Sequence, residues 1–122
     1  MSKDRDYRLF LEDILTSIQK IEKYTANLTF ETFLKNDLVI DAVIRNLEII
    51  GEAVKKLPGE IRERYSDVPW KEVAGFRDVL IHDYFGIDIG VVWRTIVEDL
   101  PFLKKHVELI LKNESFDGES NK

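Results

Sequence analysis

A chain of 122 residues, 44% apolar and 34% charged, is sized and composed for one soluble domain that buries a core without staples. It has no cysteine, which excludes disulfides and thiolate metal sites and fits a cytoplasmic home. A net charge of −5 argues against a non-specific nucleic-acid coat, and with no apolar stretch behind the charged Lys3–Asp6 or of membrane-spanning length, neither export nor insertion is expected.

From Asp6 to Thr25, Phe10, Leu11, Ile14, Ile18 and Ile21 recur every three or four positions, which predicts an amphipathic helix. Asn27–Asn36 reads as a short helix or turn, with Thr29 as its N-cap and Phe30 and Phe33 plugging the end of a bundle. Asp37 is expected to cap a long helix whose stripe of Ile40, Val43, Ile44, Leu47, Ile50 and Val54 ends at Pro58-Gly59. Gly51 in its middle marks close approach by another backbone.

Glu60–Tyr65 adds a helical turn, and Pro69 suits the first residue of the next helix, which runs through Phe76 and Leu80 towards a stop at Gly86. Asp88 can cap the following helix, and Pro101 should kink or restart it, with Asp99 as a second cap. The periodicity continues to Asn113, while Glu114–Lys122 is polar and reads as a flexible tail. The expected architecture is all-α, an antiparallel bundle of four main helices forming a single domain over residues 1–113.

Chemistry concentrates on Trp70–Asp88. Arg77, Asp78, His82 and Tyr84 lie within two helical turns there, and His82 is one of 2 histidines in the chain. On a regular helix Arg77 and Tyr84 fall within about 20° of each other, and Asp78 and His82 form an i,i+4 pair. No Glu-x-x-His or His-x-x-x-His pair exists, so no metal site is expected, and no Gly-rich phosphate loop or nucleophile elbow is present. Arginine offers a permanently charged fork suited to phosphate, and histidine can give or take a proton near neutral pH, so the pair suits metal-free phosphodiester cleavage. Asp78 would hold the imidazole in one tautomer, and Gly75 would leave one face bare for a substrate or a second helix. On composition alone, an Arg and a His on a half-buried helix are more often structural than catalytic, and His106, beside Lys104 and Lys105, reads as structural.

The order Arg77, four residues, His82, one residue, Tyr84, then Phe85-Gly86-Ile87-Asp88, resembles the signature of HepT-like toxins, a branch of the HEPN superfamily also catalogued as DUF86. Arg45-Asn46-Leu47-Glu48-Ile49-Ile50-Gly51-Glu52-Ala53 and Pro69-Trp70-Lys71 are similar to further stretches of that family. The resemblance implies a homodimeric helical bundle that acts without cofactor as a metal-independent ribonuclease in a type VII toxin–antitoxin system. It implies catalytic roles for Arg77 and His82, with Asp78 supporting. Tyr84 is then the tyrosine that a minimal nucleotidyltransferase antitoxin (MntA-like) silences by adenylylation (AMPylation). The alternative is a non-catalytic nucleotide-binding or interaction module that partners a nucleotidyltransferase.

Overall fold

The computed structural model describes residues 6–82 and 88–114, and for 77–82 the helical backbone only. Among the described residues every regular element is helical and no strand occurs. Helix α1 spans Tyr7–Thr25, one residue after the expected start, because Asp6 is the N-cap: its carboxylate accepts from the Arg8 backbone N–H at 3.0 Å. Leu11, Ile14, Ile18 and Ile21 are wholly buried, the stripe that their spacing predicts. Helix α2, Phe30–Leu34, opens with the expected Thr29 cap, elaborated into a capping box with Thr32. Phe33 is buried and Phe30 half-buried, and their rings lie 5.0 and 6.3 Å from that of Trp93, so the plug rests on a third aromatic.

Helix α3 spans Asp37–Lys55, and two expectations change there. The cap is Asn36, whose side chain accepts from the Val39 N–H at 3.1 Å, and Asp37 is instead a first-turn acid that complements the helix dipole. The helix stops before Pro58-Gly59 because the Lys56 and Leu57 N–H groups donate three residues back, to Ala53 and Val54, tightening the last turn and tucking Leu57 into the core. Helix α4, Gly59–Arg64, follows Pro58 without a side-chain cap. Helix α5 spans Trp70–His82, with Pro69 just outside it, its carbonyl accepting from the Val73 N–H at 3.0 Å.

Asp88 caps helix α6, Ile89–Arg94, by accepting from the Gly90 N–H at 2.8 Å, as expected. Pro101 does not restart the helix. Thr95–Asp99 forms a π-helical turn that runs straight into α7, Leu100–Asn113, and Asp99 stays helical without a capping bond. Proline has no N–H to give four residues back, and the Leu100 N–H reaches five residues back to Thr95 instead, so a widened turn accommodates it.

The core lies where α1 packs on α3 and α7, and α3 packs on α5. Lys104 Nζ meets Glu22 Oε1 at 3.0 Å, and the Tyr7 hydroxyl approaches Glu114 Oε1 at 3.5 Å, so α1 and α7 run antiparallel. Lys56 Nζ sits 5.8 Å from the Phe10 ring centroid, which makes α1 and α3 antiparallel too. Glu114, which the sequence places in the flexible tail, accepts from the Tyr65 hydroxyl at 2.6 Å and from Arg64 at 2.7 Å. These partners lie about 50 residues upstream, beyond the reach of local pattern. No described helix is long and apolar enough to cross a membrane.

Candidate functional site

Helix α5 is seated by its first residue. Trp70 is buried, and its indole N–H donates to the Tyr65 carbonyl at 3.0 Å, fixing where the helix begins. Val73, Ala74, Gly75 and Phe76 are only half-buried. Among the described residues a Cβ built on Gly75 would meet nothing within 4 Å, so the space beside it is open, as its lack of a side chain suggests.

Arg77, Asp78 and His82 stand on the same helix, with His82 its last residue. Their backbone positions follow helical geometry: Asp78 and His82 are one turn apart, and Arg77 and His82 are separated by about 7.5 Å along the axis and about 140° around it. Their side-chain geometry lies outside the described residues. So do Tyr84, the Arg77–Tyr84 alignment and the expected stop at Gly86.

Helix α3, which carries the stretch Arg45–Ala53, packs against α5. Arg45 pairs with Glu48 at 3.7 Å, Glu52 pairs with Lys56 at 3.7 Å, and Gly51 is buried. Asn46 is 6% exposed, and its Nδ2 donates to the Ala42 carbonyl at 2.9 Å, but its buried Oδ1 has no partner among the described residues. Such an orphan acceptor costs about 1–3 kcal/mol, and sequence pattern gives no sign of it, because asparagine is usually a surface residue. His106 is local: its Nδ1 lies 3.0 Å from the Phe102 carbonyl and its ring 4.3 Å from the Phe102 ring. That agrees with a structural role.

The described residues form an all-α fold without strands, of the HEPN type. The family model described as "Ribonuclease HepT-like" matches residues 14–110, and the chain belongs to this HepT-like ribonuclease family. It is 49% identical over 109 residues to "Putative RNase MJ1216" of Methanocaldococcus jannaschii, covering 89% of this chain and 90% of that one. It is 45% identical over 108 residues to "Probable ribonuclease HepT" of Thermococcus cleftensis, covering 88% of this chain and 98% of the relative. A third relative, "Gamma-glutamylcyclotransferase and putative RNase MJ0434" of M. jannaschii, is 45% identical over 117 residues, which are 96% of this chain and 52% of that protein, so the chain spans about half its length. No solved structure matches the chain.

Proposed function

We propose that this protein is a metal-independent endoribonuclease, the toxin of a type VII toxin–antitoxin system, built as a single HEPN-like domain over residues 1–113. The observation that carries the reading is that Arg77 and His82 stand on one helix of a HepT-like chain, with the His82 position within about 20° of the open face at Gly75. His82 takes the proton of a ribose 2′-OH, and the freed oxygen attacks the adjacent phosphorus. Arg77 balances the charge that builds on the phosphorane oxygens. The bond from phosphorus to the 5′ oxygen breaks, and a protonated His82 of a second copy gives that oxygen its proton. The products are a 2′,3′-cyclic phosphate and a free 5′-OH, and DNA is spared because it lacks the attacking hydroxyl.

The second copy enters because one helix face cannot converge positions about 140° apart. A homodimer completes the site around a twofold axis. Asp78 orients the imidazole. Tyr84 carries the AMP that a nucleotidyltransferase antitoxin adds, a bulky anion beside Arg77 that blocks the phosphate site without unfolding the bundle. The experiment is RNA cleavage in EDTA by the purified, unmodified protein. His82→Ala and Arg77→Ala should each abolish cleavage with helicity and dimerisation intact, and full activity in a folded His82→Ala protein would refute the mechanism. Intact-mass measurement after co-expression with the antitoxin should show AMP increments that Tyr84→Phe removes.

A further inference from the structure

A groove of about 640 Å3 lies between the first half of α5 and the stretch from α6 into α7. Its floor is apolar, with Leu47 and Ile50 from α3, Val73 and Phe76 from α5, and Leu100 and Leu103 from α7. Its rim is acidic: Asp67 and Glu72 on one side, Glu98 and Asp99 on the other. Among the described residues no Lys, Arg or His lines it, and none of these four carboxylates has an ion-pair partner. Val91 and Phe102 also line it and remain 36% and 45% exposed, more apolar surface than a closed core edge leaves. One wall is the π-helical turn, which contributes Thr95, Glu98 and Asp99, and such turns interrupt helices frequently at functional sites.

We infer that this groove is the docking site for an amphipathic helix of a partner protein that carries Lys or Arg beside its apolar stripe. A trench between helices with an apolar floor suits a helix that buries side chains at i, i+3, i+4 and i+7. The unpaired carboxylates complement cations flanking that stripe and steer the encounter. RNA is disfavoured, because four carboxylates repel phosphates. A second copy docked groove to groove is disfavoured for the same reason, since a twofold axis would set two acidic rims against each other. The inference rests on this surface alone and stands whether or not the chain cleaves RNA.

The probe is a fluorescein-labelled Leu/Lys amphipathic helix of about five turns, with a Leu/Glu helix as its counterpart, titrated by anisotropy into the full chain at physiological ionic strength. The Leu/Lys helix should bind and the Leu/Glu helix should not. Glu98→Lys with Asp99→Lys should weaken binding at least about tenfold, and so should Phe102→Ser, an exposed position whose change spares the core. Glu12→Lys with Glu31→Lys makes the same charge change on exposed positions that do not line the groove and should leave binding unchanged. Circular dichroism confirms that each variant is folded, and His82→Ala should still bind. Equal weakening by the Glu12 and Glu31 pair, or no effect of Phe102→Ser in a folded protein, would overturn the site. Light scattering that shows a wild-type dimer broken by Phe102→Ser would assign the groove to a second copy and overturn the partner.

Discussion

Along α1, Phe10, Leu11, Ile14, Ile18 and Ile21 all disappear into the core, whereas of Trp70–Phe76 in α5 only Trp70 does. Both helices are amphipathic by sequence, but α1 is clamped between α3 and α7, and α5 lies on α3 with an open flank at Gly75. Burial is concentrated in the first region, and the proposed chemistry falls in the second. The division is physically reasonable, because a face kept for substrate or a partner cannot also be buried to stabilise the fold.

The harshest way to test that division is to cut into α1. Ile14→Ala should lower stability by about 2–5 kcal/mol in urea unfolding, because Ile14 is wholly buried and its removal leaves a cavity. Arg77→Ala should do the reverse, abolishing cleavage while shifting the urea midpoint little. Trp70→Phe comes next. It removes the indole N–H that meets the Tyr65 carbonyl and part of a buried ring, a loss of about 1–3 kcal/mol by the same measurement. A loss as large as that of Ile14→Ala would mean that α5 is clamped as firmly as α1, and the comparison would fail.

Gly75→Ala sharpens the contrast, because it should raise stability. Space is free around the added methyl, and replacing a mid-helix glycine gains about 0.5–1 kcal/mol. If that face receives the second copy, the same variant should weaken dimerisation in sedimentation velocity, so that fold and assembly move in opposite directions. A dimer tightened by the methyl would contradict the open-face assignment.

The smallest expected effect is at Glu114. The Tyr65 hydroxyl, and after it Arg64, hold this carboxyl below its ordinary value of 4.5, with burial opposing them. Since the folded value is the lower one, the ionised group stabilises the fold at neutral pH, and that contribution fades as pH falls through the folded value. The urea midpoints of wild type and Glu114→Gln should therefore differ at pH 7 and converge in acid. A gap that widened in acid would reverse the assignment.

Periodicity made much of this legible in advance. The α1 stripe, the Thr29 cap and the Asp88 cap are local signals, decided within one turn of chain. Asn36-Asp37 was ambiguous because both residues cap well, and only backbone geometry selects Asn36. The π-helical turn before Pro101 was not legible, since proline permits a kink, a restart or a widened turn and the packing of neighbouring helices chooses among them. At the candidate site, the spacing of Arg77 and His82 is readable and their helix is found. The acidic rim was not, because Asp67 and Glu72 lie about 30 residues before Glu98 and Asp99, beyond the reach of local pattern.

The approach of Tyr7 to Glu114 brings the first turn of α1 and the residue just past α7 to one pole of the bundle. A short flexible linker could therefore join residues 7 and 114, and new ends could be opened in the exposed turn between α1 and α2 at Ala26-Asn27. Such a circular permutant would keep every helix in its place while reversing the order in which α1 and its two neighbours are made. One long-range contact would thus become a topological freedom, with α1 made last instead of first.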